Sequence, residues 1–128
     1  MAETKDNRMR EHFQRLIDEG LGGTRYKEHE VAPYGLIVKA SMQPDLWSGV
    51  FYSWLSIKGH LQGMHGFDRT QMFAARDGDT VTATFITVWD RAETLYQWLE
   101  GGYPVPEMLE AMGVPEEMIE LELVRDYS

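Results

Sequence analysis

Two histidines and a group of flat rings are the side chains of this sequence best suited to chemistry. His60 and His65 stand five residues apart around Gly63. A neutral imidazole near pH 7 can take a proton from a phenol or an acidic carbon. Five residues correspond to about 500° of rotation on a helix, so the two rings share no face, and a metal pair would be better served by an i, i+4 spacing. Either one, His65 before His60, is a candidate general base beside a pocket. His12 and His29 fall in a charged N-terminal stretch and are expected in solvent. The flat rings are Trp47, Phe51, Tyr52, Trp54, Trp98 and Tyr103. An aromatic stripe at helical spacing usually packs a core. The alternative is a pocket walled by rings that holds a planar ligand, with Trp54 and Trp98 as stacking walls and Ser48, Tyr52 and Ser56 orienting it. Met42, Met64, Met72, Met108 and Met112 would soften such a wall or fill gaps in a core.

Composition narrows the remaining chemistry. The chain has 128 residues, the size of one domain, and 43% of them are hydrophobic, which argues against intrinsic disorder. A net charge of −9 argues against nucleic acid or an anionic membrane as the main partner. The absence of cysteine excludes disulfides, thiolate metal sites and cysteine nucleophiles. The first residues are charged, and no apolar run approaches the roughly 20 residues of a membrane span, so a cytoplasmic location is expected. Glu116, Glu117, Glu120 and Glu122 read as a solvated strand edge rather than a metal site. No P-loop, glycine-rich phosphate loop or nucleophile elbow is present.

The elements that must position these residues follow from periodicity. Residues 4–19 read as a helix with Met9, Phe13, Leu16 and Ile17 on one side, ended by Gly20-Leu21-Gly22-Gly23. After a polar connection, residues 34–42 read as a strand with Leu36, Val38, Ala40 and Met42 on one face. Pro44-Asp45 opens a helix to about residue 62 that carries two apolar stripes. Leu46, Val50, Trp54, Ile57 and Leu61 form the first; Trp47, Phe51 and Leu55 form the second. One stripe meets a sheet, and the second must meet the N-terminal helix or a ligand. Residues 66–76 read as a strand, joined through Asp77-Gly78-Asp79 to a strand over 80–89.

That third strand is apolar on both faces. Val81, Ala83, Phe85 and Trp89 point one way, Ile86 and Val88 the other. Helices would cover one face and a second sheet the other, which predicts a homodimer. A helix over 91–100, a short helix from Pro104-Pro106 to Met112, and a strand over 118–125 complete the chain. The order is a helix followed by β-α-β-β-α-β, the split ferredoxin-like α+β arrangement.

Two short motifs in this ladder resemble the antibiotic-biosynthesis monooxygenase (ABM) family of dimeric α+β barrels, which includes heme-degrading members. Gly66-Phe67-Asp68 looks like the family's entry into the second strand. Val88-Trp89 followed by Ala92, Leu95 and Trp98 looks like its strand-to-helix pattern. The resemblance runs over residues 34–128, and residues 1–33 form an added helix and connection. It implies two sheets paired face to face and a pocket between helices and sheet. In heme-degrading members a Trp at the place of Trp98 lies against the heme. Those members also carry an Asn on the first strand, near Ala40, and a heme-ligating His near Met108. Neither is present here, and residues 101–110 hold no histidine.

The resemblance therefore implies a cofactor-independent monooxygenase acting on a hydrophobic aromatic or polycyclic small molecule. His65 or His60 would be the base, and Trp98, Trp54, Phe51, Trp47, Tyr52 and Tyr103 would bind substrate. A non-catalytic ligand-binding or structural dimer is the alternative. A heme protein using a histidine from another place is the second alternative.

Overall fold

The computed structural model describes residues 34–101 and 104–125. The helix expected over 4–19, and Tyr103, lie outside these residues. Alternation of apolar and polar side chains builds the first strand, β1 (Tyr34–Met42). Tyr34, Leu36, Val38, Ala40 and Met42 are buried, while Lys39 between them is exposed. Pro44 then starts helix α1 (Pro44–Leu61) from an extended Gln43, where its fixed φ suits the first turn. Val50, Trp54, Ile57 and Leu61 bury one stripe of α1.

Gly66 ends the turn after α1 at φ +82°, a conformation that favours glycine, so strand β2 (Phe67–Asp77) begins one residue later than its apolar pattern suggests. Gly78 at φ +62°, followed by Asp79 with an ordinary φ, has the backbone signature of a type II′ hairpin. Asp77 pairs with Thr80, so β2 gains a residue and strand β3 spans Thr80–Trp89. Helix α2 (Ala92–Gly101), helix α3 (Val105–Ala111) and strand β4 (Ile119–Arg125) follow. Met118, expected to start β4, instead closes a 3-10 turn, Glu116–Met118, after Pro115.

The sheet order is β2-β3-β1-β4 with every neighbour antiparallel, the ferredoxin-like topology expected from the sequence. One face of the sheet holds the core. Phe85 and Trp89 of β3, Leu36 and Val38 of β1, and Leu95, Trp98, Leu99, Met108 and Leu109 of the helices are all 2% exposed or less. The opposite face carries the alternate side chains. The pairing sets them in rows: Arg69, Val88, Gly35 and Val124; then Gln71, Ile86, Ile37 and Glu122; then Phe73, Thr84, Lys39 and Glu120. No described helix is long and apolar enough to cross a membrane.

Candidate ligand site

The two sequence motifs meet in space. Gly66 lies against the turn from β3 into α2, and its carbonyl accepts a hydrogen bond from the Asp90 N–H at 2.8 Å. A Cβ at position 66 would come within 2.5 Å of both Asp90 Oδ1 and Thr94 Cγ2. The Thr94 hydroxyl donates to Asp90 Oδ1 at 2.8 Å and to the Arg91 carbonyl at 2.9 Å, bracing the first turn of α2. Next to this turn the Phe67 ring meets Trp89 edge-on at 5.5 Å, and Trp89 lies 5.3 Å from Trp98. The residues that carry the family resemblance thus form one packed joint between β2, β3 and α2. Their spacing follows from this packing, and edge-to-face or offset ring pairs add to what their buried area contributes.

A second buried ring pair lies farther along β3. Trp54 of α1 meets Phe85 at 5.4 Å and 62°. Phe85 and Trp89 project from the same face of β3, four residues or about 13 Å apart along the strand. Trp54 and Trp98 therefore stand over the same strand, one near each end of this interval, and both are at most 3% exposed. Thr87 occupies the middle of the interval on that face and is itself buried. Its hydroxyl and the Trp89 indole N–H have no hydrogen-bond partner among the described residues. Sequence reading missed Thr87, because threonine is an ordinary strand residue. The available signal was its position between Phe85 and Trp89 on an otherwise apolar face.

The remaining candidates are more open. Trp47, Phe51 and Tyr52 form a chain of rings along α1, with centroids 5.9 Å and 5.6 Å apart. Trp47 and Phe51 are half-buried, while Tyr52 is 66% and Leu55 44% exposed. The first stripe of α1 is core, and the second is only partly covered. Ser48 and Ser56 are exposed; the neighbouring Ser53 hydroxyl donates to Met112 Sδ at 3.5 Å. A Cβ at Gly49 would fall 2.5 Å from Met112 Cε, so α1 and the end of α3 approach closely here.

His60 lies in the last turn of α1 and His65 in the turn before β2, both exposed. His65 adjoins Gly66 and so borders the Trp89 end of the sheet; His60 is one helical end away. Among the described residues no group of three His, Asp or Glu side chains could hold a metal ion. The open sheet face has two shallow hollows. One of about 460 Å³ is lined by Ile37, Lys39, Glu120 and Glu122, among others. The other, about 240 Å³, is lined by Gly35, Arg69, Ile86, Val88, Val124 and Arg125, with Thr70 and Gln71.

No protein-family model matches the sequence, and no curated protein matches it significantly. Solved structures do match. A mutant of SnoaB, a cofactor-independent oxygenase from Streptomyces nogalater, aligns at 12% identity and a TM-score of 0.59, covering 76% of this chain and 95% of that one. The monooxygenase from ActVA-Orf6 of Streptomyces coelicolor, solved with the ligand nanaomycin D, aligns at 14% identity and a TM-score of 0.55, covering 77% and 89%. A conserved protein from Methanosarcina mazei Go1 aligns at 11% identity and a TM-score of 0.61, covering 75% and 94%. At such identities the likeness is one of fold. The strand order and these neighbours together show that the chain shares the ferredoxin-like α+β fold of these monooxygenase structures.

Proposed function

We propose that the chain is an ABM-type monooxygenase that oxidises an aromatic or polycyclic small molecule between its helices and sheet, without a cofactor. The observation that carries this reading is the helix-covered face of β3. There two aromatic pairs, Trp54 with Phe85 and Trp98 with Trp89, flank a buried threonine whose hydroxyl has no partner among the described residues. Flat rings beside an unpaired hydroxyl suit a planar molecule bearing an oxygen. The likeness in fold to a cofactor-independent oxygenase and to a monooxygenase crystallised with nanaomycin D supports the same substrate class.

In this mechanism a base removes the proton of the substrate's phenol or activated carbon. His65 is the proposed base, since its turn borders the Trp89 end of the sheet; His60 is the second choice. The resulting anion is electron-rich and passes an electron to dioxygen. The substrate radical and superoxide then join in a C–O bond. The hydroperoxide formed loses water, so one oxygen atom stays as a quinone carbonyl and the substrate supplies the electrons that reduce the other. The protein's part is to hold the anion, exclude water and fix its orientation toward oxygen. Half-buried Trp47 and Phe51 and exposed Tyr52 extend the aromatic wall outward along α1.

The working unit is proposed to be a homodimer closed through the open sheet faces. Ile37, Ile86, Val88 and Val124 form an apolar strip there that a second copy would cover, and Arg69 at one edge complements Glu120 and Glu122 at the other. The close packing of Trp54, Trp89 and Trp98 favours one other reading, a dimer in which these rings are core and nothing is turned over. Oxygen uptake separates the two. The full-length protein, freed of metal with a chelator, should consume dioxygen when given a polycyclic phenol. His65→Ala should lower the rate by roughly 10²–10⁴-fold, the usual contribution of a positioned base. Binding of the phenol without oxygen uptake would support the non-catalytic reading.

A further inference from the structure

Helix α1 has three sides, and the described residues fill two of them. Val50, Trp54, Ile57 and Leu61 are buried toward the sheet, with Trp54 on Phe85 of β3. Gly49 and Ser53 meet Met112 at the end of α3. At about 100° of rotation per residue, Trp47, Phe51 and Leu55 lie on the side opposite Gly49 and Ser53. Trp47 and Phe51 are only half-buried there, and Leu55 is exposed, as is Tyr52 beside them.

That third side overhangs the edge of the sheet. The strand order is β2-β3-β1-β4 and α3 sits against β1, so the side of α1 turned away from α3 lies above β2. The helix-side residues of β2 are those paired with core residues of β3. Met72 pairs with Phe85 and is half-buried, whereas Phe85 is 1% exposed. Ala74 pairs with Ala83 and is exposed, whereas Ala83 is 0% exposed. The helix layer therefore stops short of β2. Phe51 and Leu55 form the wall of an open groove, and Met72 and Ala74 form its floor. Their exposure shows that no described element covers it.

One stretch of the chain has the complementary need. The helix expected over residues 4–19 carries Met9, Phe13, Leu16 and Ile17 on one side and charges around the rest. A helix of that length is marginal alone in water and draws its stability from packing its apolar face. The lengths match, since Met9 to Ile17 and Trp47 to Leu55 each span about 12 Å of helix. Residues 20–33 join the segment to Tyr34 at the start of β1. Extended, that tether reaches about 45 Å, against about 27 Å for all 18 residues of α1. Every part of the groove is within its range, and the tether supplies a high local concentration, so a modest apolar contact suffices.

We infer that the chain's own N-terminal segment, residues 4–19, docks as a helix in the groove between α1 and β2. Its Met9, Phe13, Leu16 and Ile17 cover Phe51, Leu55, Met72 and Ala74. The docking extends the helix layer over the edge strand and needs no ligand and no second chain.

The sequence has no cysteine, so a single introduced thiol takes a nitroxide label at one place. His12→Cys, at the border of the segment's apolar side, carries the label in full-length, nitrogen-15-enriched protein. The amide signals of Phe51, Leu55, Met72 and Ala74 should lose most of their intensity, while those of Ile37, Glu120 and Glu122 on the open face keep theirs. Leu55 is exposed, so Leu55→Asp should leave the sheet and its helices folded and release the segment, restoring the signals of Phe51, Met72 and Ala74. Leu55→Met should keep them broadened. Labelled chains without enrichment, mixed with enriched wild type, should leave the groove signals sharp. Intact groove signals in the labelled protein, broadening centred on the open face, or broadening that survives Leu55→Asp would each overturn the docking. Broadening in the mixed sample would assign the groove to the segment of a second copy and overturn it as well.

Discussion

Phe85 and Ile86 are adjacent in sequence and face opposite sides of the same sheet. Phe85 is 1% exposed beneath Trp54. Ile86 is half-buried, paired across the sheet with Ile37 on one side and Gln71 on the other. The same contrast runs across the sheet. Leu36, Val38 and Trp89 are at most 2% exposed on the helix side, while Phe73 on the other side is 57% exposed. The covered face is packed within one chain, and it holds a hydroxyl and an indole N–H that have no hydrogen-bond partner among the described residues. The open face carries an apolar strip in which Ile37, Ile86 and Val124 are half-buried and Val88 is buried, while Phe73 is exposed. In the proposed reading one face takes a small ligand and the other a second copy of the chain.

Charge introduced on each face should break this comparison most sharply. Phe85→Asp places an unpaired carboxylate in the core and should unfold the protein, a loss of more than about 4 kcal/mol. Ile86→Asp places the same group on the open face. It should leave circular dichroism and melting of the folded chain intact while halving the mass seen by light scattering. A wild type that scatters as a 14.8 kDa particle at micromolar concentration would remove the proposed role of the open face. An Ile86→Asp variant that unfolds as Phe85→Asp does would show that the two faces are equally core.

Gly66→Ala probes the joint that holds α2 over the covered face. The new Cβ would be strained by the positive φ and would meet Asp90 and Thr94 at 2.5 Å. The expected loss is about 2–5 kcal/mol in chemical denaturation, with part of it recovered by Thr94→Ser, which trims the clashing methyl. A neutral Gly66→Ala would mean the joint yields easily. The smallest effect is expected on the second stripe of α1. Phe51 is half-buried, so Phe51→Ala should cost about 1–2 kcal/mol, below the roughly 3–5 kcal/mol of a fully packed aromatic. A cost in the upper range would identify that stripe as core.

Much of the architecture was legible in the sequence because the strands alternate cleanly. The bounds of β1 and β3 agree with their apolar pattern, and Gly78-Asp79 marks the hairpin that joins β3 to β2. Boundaries shifted where backbone conformation overrules hydrophobicity: at Gly66, whose positive φ delays β2, and after Pro115, where a 3-10 turn delays β4. The motifs Gly66-Phe67 and Trp89…Trp98 point to the fold because their residues pack on one another, and packing says little about reaction. The candidate site was less legible. Spacing placed Trp54 and Trp98 on inward helix faces but could not show that they stand over one strand, since that depends on two helices far apart in sequence. It gave no hint that Thr87 lies between them, because a threonine within a strand looks the same whether buried or wet. Nor could spacing tell that His60 and His65 are both exposed, one in the last turn of α1 and the other in the turn before β2.

The proposed reaction is oxygen insertion into an aromatic molecule at the covered face of β3, without a cofactor. The direct measurement is mass spectrometry of the product formed from a polycyclic phenol under isotopically heavy dioxygen, in chelator-treated, heme-free buffer. The account expects one heavy oxygen atom in the product, formed by wild type and strongly reduced in His65→Ala. A product that carries oxygen only from water, or the phenol recovered unchanged after saturating binding, would contradict it.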